Sequence, residues 1–522
     1  MSLISLYEQQ HLPTDPPWSA QFETRDTLLN RLSGEPFFDI VIVGGGIHGA
    51  CLARIAAFNG LKTALFEMVD YAHATSSRSS KLAHGGFRYL QMGDLQQVLE
   101  GVRCREDLFE IAPHLVKPHP FFLPVYSHIG RVVIGVGMTI YDWHVRRRER
   151  RHRWVAPCDL LSLFEKKPIG GYQFWDGVMD DTRLVIEEII AARQEGALCL
   201  NHARVDSMTH RYDDRVEVGI TDLITGAQRV VHAGIVVNCA GPWAPNVGRL
   251  TPLSGRVRYS RGTHLIFDTP WPHQAVIMPM PERGRYYFII PYRFGGTLVG
   301  TTEREVSELE IDPQPTEDET RELLERLARD VPSAGLTADK IIGAFAGLRT
   351  LPLRRRRDGT TTSSLSRRHR WEFANGVLTL YGGKYTSATM VAEEALHRVF
   401  ALAHVRRPIV PVWGRPLPGA AGRDTAQRIA AEVITSWPPL QSMAHQALLR
   451  FGGLLRHVKE AENWAEPIGT IALQGEIDFV IQVEQASTVE DVLRHLGADK
   501  GVVVTEEERE GIARRLKAIA GI

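Results

Sequence analysis

The sequence predicts an α/β protein whose main domain opens with a nucleotide-binding βαβ unit and whose C-terminal part is helical. Residues 40–43 form a branched, wholly apolar run, as expected of a strand buried on both faces. A glycine-rich turn at 44–49 follows directly, and a second apolar run at 63–66 ends at the acidic Glu67. The segment 423–522 carries helix-capping patterns. These observations together favour parallel strands crossed by helices.

The glycine turn has the spacing G-x-G-x-x-G between the predicted strand and the predicted helix. Gly44 allows the tight turn, Gly46 lets the backbone approach a pyrophosphate, and Gly49 lets the helix pack closely on the strand. The helix then directs free N–H groups and its positive dipole end at the phosphates. Glu67 lies about 20 residues further on, where a carboxylate can accept hydrogen bonds from an adenosine ribose. The combination favours a dinucleotide site over a glycine-rich loop without function.

Composition limits the partners of this chain. Its 522 residues allow two or three domains, and its balanced net charge of +0 gives no reason to expect a nucleic-acid partner. No C-x-x-C motif is present, so we expect no disulfide framework, zinc site or iron–sulfur cluster, and a reducing compartment. The cysteines are Cys51, Cys104, Cys158, Cys199 and Cys239.

The sequence predicts a cytoplasmic protein. No run approaches the roughly 20 apolar residues that a bilayer-spanning helix needs. The segment 1–36 lacks the charged and apolar regions of a secretory signal, and it has no Lys or Arg before Arg25, which argues against a mitochondrial transit peptide. Attachment to the inner face of the cytoplasmic membrane stays open, because an apolar stretch at 129–143 precedes six arginines between 146 and 153. That pattern fits either a solvated charged helix end or an interfacial element.

Further elements follow from local patterns. We predict a Ser- and Gly-rich loop over 74–88, helices over 94–108 and 182–196, and strands over 230–240 and within 286–302. Capping boxes are expected at Thr316/Glu319, Ser487/Glu490 and Thr505/Glu508.

Eight segments in this order resemble the FAD-dependent, respiratory-chain type of sn-glycerol-3-phosphate dehydrogenase, within the glycine-oxidase and D-amino-acid-oxidase group of flavoproteins. The segment 74–90 is the most specific of them. They are VIVGGGIHGA (41–50), ATSSRSSKLAHGGFRYL (74–90), MDDTRLV (179–185), NCAGPW (238–243), RGTHLIF (261–267), VGTTERE (299–305), AGLRTL (346–351) and YGGKYTSA (381–388). A fainter likeness, STVEDVLRH, lies at 487–495.

The resemblance implies a Rossmann-like FAD-binding domain, an inserted antiparallel-sheet substrate domain and a C-terminal helical domain. The FAD-binding domain would comprise 37–113, 180–258 and 344–405, and the substrate domain 114–179 and 259–343. The remaining parts would be an N-terminal extension 1–36, a linker 406–422 and the helical domain 423–522.

The same resemblance implies where the cofactor, FAD, is held. Glu67 would bind the ribose, His84 and Gly85 would shape the loop beside the flavin, and His48 would lie near it without a catalytic role. Small and hydroxylated residues suit this task because they bring donors within hydrogen-bond range of phosphates and of the flavin edge. The other implied cofactor contacts are Thr75, Ser76, Ser77, Ser79, Lys81, Gly241, Gly383, Lys384, Tyr385 and Thr386.

The positions of residues within the family motifs also imply which residues bind the substrate. Arg88, Tyr89 and Lys384 resemble the phosphate ligands of the family. The positive charges of the arginine and the lysine suit a phosphate dianion. His264 and Arg349 resemble the pair at the reacting carbon. A histidine is a suitable proton acceptor at neutral pH, and a guanidinium beside it stabilises the developing alkoxide.

The implied reaction is oxidation of sn-glycerol 3-phosphate to dihydroxyacetone phosphate, by hydride transfer from C2 to flavin N5 with quinone as acceptor. Three alternatives stay open: an oxidase that uses oxygen, a dehydrogenase of a related phosphorylated or 2-hydroxy compound, and a flavin-binding sensor or scaffold. Departures from the family pattern at Glu303 and Thr350 motivate the second alternative. The oligomeric state, a homodimer included, also stays open.

Overall fold

A computed structural model of the chain shows two large sheets with helices packed around them. The residues that it describes are 22–34, 36–86, 89, 93–156, 159–211, 215–249, 257–271, 274–280, 285–292, 295–355, 361–362, 368–420, 428, 431–432, 434–435 and 440–521.

The strands are numbered in chain order. They are β1 (Phe37–Val43), β2 (Thr63–Phe66), β3 (Leu82–Ala83), β4 (Val116–Val125), β5 (Arg153–Val155), β6 (Gly170–Met179), β7 (Leu198–Leu200), β8 (Ala203–His210), β9 (Val216–Asp222), β10 (Gln228–Asn238), β11 (Val257–Phe267), β12 (Ala275–Pro279), β13 (Tyr286–Pro291), β14 (Thr297–Gly300), β15 (Arg304–Val306), β16 (Ile341–Pro352), β17 (Arg354–Arg355), β18 (Thr361–Thr362), β19 (Arg370–Ala374), β20 (Val377–Tyr381), β21 (Pro467–Ile468) and β22 (Ala472–Leu473).

The helices are numbered in the same way. They are α1 (Arg25–Gly34), α2 (Ile47–Phe58), α3 (Leu95–Ile111), α4 (His128–Tyr141), α5 (Asp181–Gln194), α6 (Ala244–Gly248), α7 (Glu317–Asp330), α8 (Ala388–Leu402), α9 (Gln441–Phe451), α10 (Leu455–Val458), α11 (Gln474–Gln482), α12 (Val489–His495) and α13 (Glu506–Ala520).

The first sheet has the predicted Rossmann-like arrangement. Its strand order is β19-β20-β10-β1-β2-β7, and β20, β10, β1, β2 and β7 run parallel. Strands β8 and β9 extend it from β10 as an antiparallel meander. Helix α2 packs between α5 and α8, and their apolar side chains join one buried core with the sheet. Val43 pairs with Phe66 on one side and with Asn238 on the other, so β2, β1 and β10 end at the same edge.

The second sheet is mostly antiparallel, as predicted for the substrate domain. Its order is β15-β11-β14-β13-β12-β4-β6-β3, with β16 on β11 and β5 on β6. The long pair β11–β16 places His264 opposite Phe345 and Ser260 opposite Arg349. Strands β3 and β16 lie in this sheet although their sequences fall in segments assigned to the FAD-binding domain. The domain boundaries stay a prediction.

Most helix signals in the sequence agree with the structure. The capping boxes at Thr316/Glu319 and Thr505/Glu508 are present, and Asp94 caps α3 through the backbone N–H of Gln97. The box expected at Ser487/Glu490 was wrong by one residue, because Thr488 is the extended residue before α12 and exchanges hydrogen bonds with Asp491. The predicted loop over 74–88 contains a 3₁₀ turn, Thr75–Ser77, and the short strand β3.

Candidate active site

A cavity of about 580 Å³ lies where the two sheets meet. Its walls come from the glycine turn after β1, the loop that follows β2, strands β11, β13 and β16 of the second sheet, the segment after β14, and the turn after β20. The volume is in the range that ligand sites occupy. The carboxyl ends of parallel strands are where α/β sheets bind nucleotides, so this cavity is the candidate active site.

The glycine turn is closely packed against the end of β10. Gly44 has a φ of +107°, and a Cβ there would lie 2.7 Å from the carbonyl oxygen of Cys239. A Cβ on Gly49 would lie 1.9 Å from the carbonyl oxygen of Gly44, so α2 reaches the strand only because this position has no side chain. Gly46 precedes α2 without a side-chain cap, and Ser76 Oγ accepts from the N–H of Ile47 at 3.0 Å. The turn leaves a backbone cradle of the kind that holds phosphate.

Glu67 supports the same turn from the end of β2. One carboxylate oxygen accepts from the N–H of Gly45 at 2.7 Å, and the other accepts from the N–H of Val69 at 2.9 Å. Burial raises the pKa of this carboxyl, and the two N–H donors oppose the shift. Glu67 lines the cavity, and each oxygen retains acceptor capacity beside its backbone bond. A ribose contact stays a prediction.

The loop after β2 is fixed by one buried carboxylate, Asp181 at the start of α5. Its Oδ2 accepts from Ser79 Oγ at 2.7 Å, and its Oδ1 pairs with Lys81 Nζ at 2.5 Å. Lys81 also donates to the carbonyl oxygen of Ser77 at 2.8 Å. The ammonium of Lys81 is therefore turned toward Asp181, behind the cavity wall.

His264 is buried on β11 and faces the cavity. Its Nε2 lies 2.9 Å from Ser80 Oγ, and its Nδ1 has no hydrogen-bond partner among the described residues. Burial, the guanidinium of Arg349 and the ammonium of Lys81 lower its pKa to about 3. The imidazole is thus neutral at physiological pH.

Arg349 projects from β16 on the same face as His264. Its guanidinium donates to Thr301 Oγ1 at 3.0 Å and to the carbonyl oxygen of Thr302 at 3.4 Å. A Cβ on Gly262 would lie 2.6 Å from Arg349 Nη2, so the small residue makes room for the cation. The pair expected at the reacting carbon therefore shares one wall.

Lys384 and Tyr89 meet at another part of the cavity. The ammonium of Lys384 lies 3.7 Å from the centroid of the Tyr89 ring, and both residues line the cavity. A cation on an aromatic face is held in position. Arg88, the third expected phosphate ligand, lies outside the described residues.

The turn after β20 forms the part of the cavity wall beside the glycine turn. Thr386 Oγ1 accepts from the N–H of His84 at 3.2 Å, and the hydroxyl of Tyr385 donates to the carbonyl oxygen of Asp181. A Cβ on Gly383 would lie 2.5 Å from His48 Nε2, which is buried without a hydrogen-bond partner in the described part of the chain. Burial and the nearby His369 lower the pKa of His48 to about 4.

The structure brings most of the expected site residues to one cavity. Gly49, Ser77 and Lys81 do not line it and lie behind its wall. Those that line it are Gly44, Gly46, Glu67, Thr75, Ser76, Ser79, His84, Gly85, Tyr89, Gly241, His264, Arg349, Gly383, Lys384, Tyr385 and Thr386. Their individual roles stay predictions.

Three residues of this site were not predicted from the sequence. Asp181 fixes the loop after β2, Ser80 holds His264, and Asp176 accepts from the N–H of Gly85 at 3.3 Å. Asp181 stands in the segment MDDTRLV, where the two consecutive carboxylates before an apolar helix were an available signal. Ser80 and Asp176 carried no local signal, because their partners are distant in sequence.

The residues present fit a bound dinucleotide. Gly44 and Gly49 leave no room for side chains, and the N-cap residue Gly46 supplies no side-chain cap to α2. Two histidines on the wall, His48 and His264, each have one buried ring nitrogen without a hydrogen-bond partner among the described residues. Buried polar atoms without partners are rare in native proteins. A polar ligand in this cavity would supply such partners.

Comparison with known proteins agrees with the fold and the cavity. The model of the FAD dependent oxidoreductase family matches residues 39–398. A glycerol-3-phosphate dehydrogenase of Synechocystis is 31% identical over 490 residues, which is 88% of this chain and 88% of the relative. An aerobic glycerol-3-phosphate dehydrogenase of Staphylococcus haemolyticus is 33% identical over 384 residues, or 71% of this chain and 68% of the relative.

A solved structure extends the similarity over almost the whole chain. The glycerol-3-phosphate dehydrogenase of Bacillus halodurans, complexed with FAD, superposes with a TM-score of 0.72 at 26% identity, covering 95% of this chain and 96% of that one. Fold and site thus define a flavin-dependent oxidoreductase. The chain belongs to the glycerol-3-phosphate dehydrogenase family within the FAD dependent oxidoreductases, which confirms the predicted family, fold class and cofactor.

Proposed function

We propose that this protein oxidises sn-glycerol 3-phosphate to dihydroxyacetone phosphate, with hydride leaving C2 toward flavin N5. One observation carries the proposal: a cation held on an aromatic ring (Lys384 on Tyr89) and a neutral imidazole beside a guanidinium (His264 and Arg349) line the same cavity as a phosphate cradle. The cavity therefore offers a cation for the substrate phosphate, an imidazole and a guanidinium for the substrate hydroxyl, and a backbone cradle for the cofactor phosphates. The names of the relatives support the same substrate.

The residues would divide the work as follows. Lys384 and Tyr89, with Arg88, hold the substrate phosphate. His264 accepts the C2 hydroxyl proton, and Arg349 stabilises the negative charge that grows on that oxygen. FAD, when bound, supplies the hydride acceptor. The glycine turn, Glu67 and the loops at 75–85 and 383–386 hold the cofactor so that the substrate carbon meets it in a fixed orientation.

The physiological acceptor in this proposal is quinone, with the protein attached to the inner face of the cytoplasmic membrane. No described helix has the length and apolarity required to cross a bilayer, so a lipid-soluble acceptor would be reached from the membrane surface. An apolar outer face on α4, with Ile129 and Val132 exposed, supports this arrangement.

The test is anaerobic mixing of the purified holoenzyme with sn-glycerol 3-phosphate while the flavin absorbance is followed. We expect bleaching, followed by reoxidation on addition of a short-chain quinone. An unchanged spectrum would remove this substrate and leave a related 2-hydroxy compound, or the sensor or scaffold, in its place. Fast reoxidation by oxygen with stoichiometric peroxide, and none by quinone, would make the protein an oxidase.

A related phosphorylated 2-hydroxy compound is the alternative substrate that a structural observation favours. Arg285 lines the cavity as a further cation, and its Nε lies 3.6 Å from the carboxylate of Glu303, one of the departures from the family pattern. A second cation could hold a second anionic group on the substrate. The test compares the rates at which glycerol 3-phosphate and phosphorylated 2-hydroxy acids bleach the flavin at equal concentration. The compound that bleaches it faster is the preferred substrate.

A further inference from the structure

One buried carboxylate, Asp70, stands directly behind the cavity wall. It belongs to the segment 67–73 that follows β2, which we call the cofactor loop. Asp70 is 0% exposed and does not line the cavity, whereas Val69 and Ala72 of the same loop do. Asp70 can therefore affect a bound cofactor through the position that it gives to the loop.

The C-terminal helix α12 holds this carboxylate with two cationic side chains. Asp70 Oδ2 accepts from Arg494 Nη1 at 2.7 Å and lies 2.9 Å from His495 Nε2. Its Oδ1 accepts from the side-chain amide of Asn201 at 2.9 Å. Arg494 and His495 occupy the last turn of α12, where the negative end of the helix dipole favours cations. The end of this helix is thus matched to an anion on the cofactor loop.

The contacts of His495 require a protonated ring. Its Nε2 faces Asp70, and its Nδ1 lies 2.8 Å from Glu484. Burial alone would raise the pKa of Asp70 and of Glu484, but the cations beside them outweigh burial and lower both pKa values. An ionised carboxylate only accepts hydrogen bonds, so both ring nitrogens of His495 must carry a proton.

The same network continues to the first helix after the active-site loop. Arg183 of α5 donates to both oxygens of Glu484, at 2.7 Å each. Arg183, Glu484, His495 and Asp70 are all buried. Alternating charges therefore run from α5 through the C-terminal helices to the cofactor loop.

Helix α12 also holds the turn that precedes β8. Asp491 Oδ2 lies 2.9 Å from His202 Nε2. The backbone N–H of His202 donates to the carbonyl oxygen of Val69 at 2.6 Å. The N–H of Ala203 donates to the carbonyl oxygen of Glu67 at 2.8 Å. The turn and the cofactor loop are thus tied to each other and to one helix.

The cofactor loop in turn fixes the groups that are expected to touch FAD. Glu67 binds the backbone N–H of Gly45 through its carboxylate, and the N–H of Ala72 donates to the carbonyl oxygen of Gly45 at 3.1 Å. A displacement of Asp70 would therefore disturb both the carboxylate predicted to bind the ribose and the glycine turn.

We propose that α12 sets the affinity of the protein for FAD, with Arg494 and His495 as positioning residues that hold the cofactor loop through Asp70. A ligand is coupled to any contact that orders its binding loop, commonly by about 5- to 150-fold in affinity. The C-terminal helices thus retain the cofactor without touching it. This inference concerns cofactor retention and does not depend on which alcohol is oxidised.

The hold on the loop requires the proton of His495. A neutral imidazole would turn a lone pair toward one of the two carboxylates and lose a charged hydrogen bond. Burial alone would lower the pKa of His495, but Asp70 and Glu484 raise it to about 9. The hold is therefore complete at neutral pH and is lost as the pH rises through 9.

The other charged groups of the network keep their charges in this range. The pKa values of Asp70 and Glu484 are lowered, as described above. Despite burial, the neighbouring carboxylates raise the pKa of Arg183 and of Arg494. Within this network, the titration near pH 9 therefore belongs to His495.

The rate of flavin release from the holoenzyme tests the proposal. Diluted holoenzyme is incubated and ultrafiltered, the free flavin is quantified at pH 7, and circular dichroism shows that the protein stays folded. Arg494→Met and His495→Gln should each release flavin about 10-fold faster than the parent at pH 7. The parent itself should release it about 10-fold faster at pH 10 than at pH 7, which requires no variant.

The conservative variant His495→Arg separates the charge from the titration. Arginine donates to both carboxylates and stays protonated throughout this range. His495→Arg should release flavin more slowly than His495→Gln at pH 7, and neither variant should show the increase near pH 9. A role in packing alone would not produce this difference in the pH profiles.

Asp478→Asn is the matched control. Asp478 of α11 is 4% exposed and accepts two hydrogen bonds from Arg515 of α13, at 2.7 and 2.6 Å. The substitution weakens an ion pair that joins two C-terminal helices to each other. We expect a lower free energy of unfolding and a parental rate of flavin release.

Three outcomes would overturn the inference. If Arg494→Met and His495→Gln release flavin at the parental rate although their unfolding free energy falls, the network serves stability alone. If Asp478→Asn releases flavin as fast as they do, general loosening of the C-terminal helices is the cause. If His495→Gln keeps the increase near pH 9, another group controls release. No substrate is present in these measurements, so their result is independent of the proposed reaction.

Discussion

The imidazole of His264 stacks on the ring of Phe345, with ring centroids 4.8 Å apart and planes inclined by 14°. The antiparallel register of β11 and β16 produces this contact, because the two residues stand directly opposite each other. Ser80 then holds Nε2. The ring is thus fixed in one plane, neutral, and open to the cavity.

Replacing His264 with Gln should lower the rate of substrate-dependent flavin reduction about 100- to 1,000-fold, because the proposed proton acceptor is lost while the volume is largely kept. Rapid-mixing absorbance measures this rate directly. Flavin content should stay at the parental level. His397→Gln, an exposed position on α8, is the control, and parental rates in the His264 variant would disprove the assigned role.

Arg349→Ala should lower kcat by about 100-fold or more, since the loss of one preorganised donor to a developing oxyanion has effects of that size. Arg349→Lys should recover part of the activity, because it keeps the charge but not the two-pronged donation to Thr301 and Thr302. Steady-state kinetics measure kcat for both variants. Arg514→Ala, at an exposed position, is the control. Intact turnover in the alanine variant would place Arg349 outside the chemistry.

Lys384→Met should raise KM for the phosphorylated substrate about 30-fold and affect unphosphorylated glycerol little. The contact that we propose between Lys384 and the substrate phosphate is a charged hydrogen bond, and such a bond is worth about 2 kcal/mol. Comparison of kcat/KM for the two substrates isolates the contribution of the phosphate. Lys517→Met, on the surface of α13, should change neither value, and an equal loss for both substrates in the Lys384 variant would argue against phosphate binding.

Asp181→Asn should destabilise the protein by about 3 kcal/mol and reduce its flavin content. The buried ammonium of Lys81 would lose its counter-charge, and the loop that carries Ser79 would lose its anchor. Denaturant unfolding and the ratio of flavin to protein absorbance report the two effects. Asp318→Asn, which breaks an exposed pair with Arg321 on α7, should stay within about 0.5 kcal/mol of the parent.

Stability should fall in mildly alkaline solution because of His495. Burial alone would lower its pKa, but Asp70 at 2.9 Å and Glu484 at 2.8 Å outweigh burial and raise the pKa to about 9. The protonated form is favoured in the folded state, so its stabilising contribution is complete below an unfolded pKa of about 6.5 and is lost as the pH rises through 9. The expected loss is about 2 kcal/mol or more.

Unfolding free energies at pH 6 and pH 9.5 measure this effect. His495→Gln should be less stable than the parent at pH 6 and should show a flatter dependence on pH. His397→Gln should follow the parental curve. A parental slope in the His495 variant would show that another group titrates in this range.

Local signals succeeded where neighbours in sequence are also neighbours in space. The boxes at Thr316 and Thr505 are such cases, since their hydrogen bonds close within three residues. The box at Ser487 failed because two consecutive hydroxyl residues offer the same pattern in two registers. Nothing local decides that Thr488, paired with Asp491, begins the helix.

The sequence by itself determined the nucleotide-binding unit, because its motif spacing encodes local geometry. Through its resemblance to a known family, it also determined the cofactor and part of the set of residues on the cavity wall. Only the tertiary structure decided which of them face the cavity. Lys81 turns away because Asp181, far along the chain, offers a buried counter-charge. The neutral state of His264 likewise depends on burial and on two cations, Arg349 and Lys81, that come from other parts of the chain. Which face of α4 is exposed depends on which side of the helix packs on the second sheet. Desolvation and charge pairing arise only when distant segments pack together.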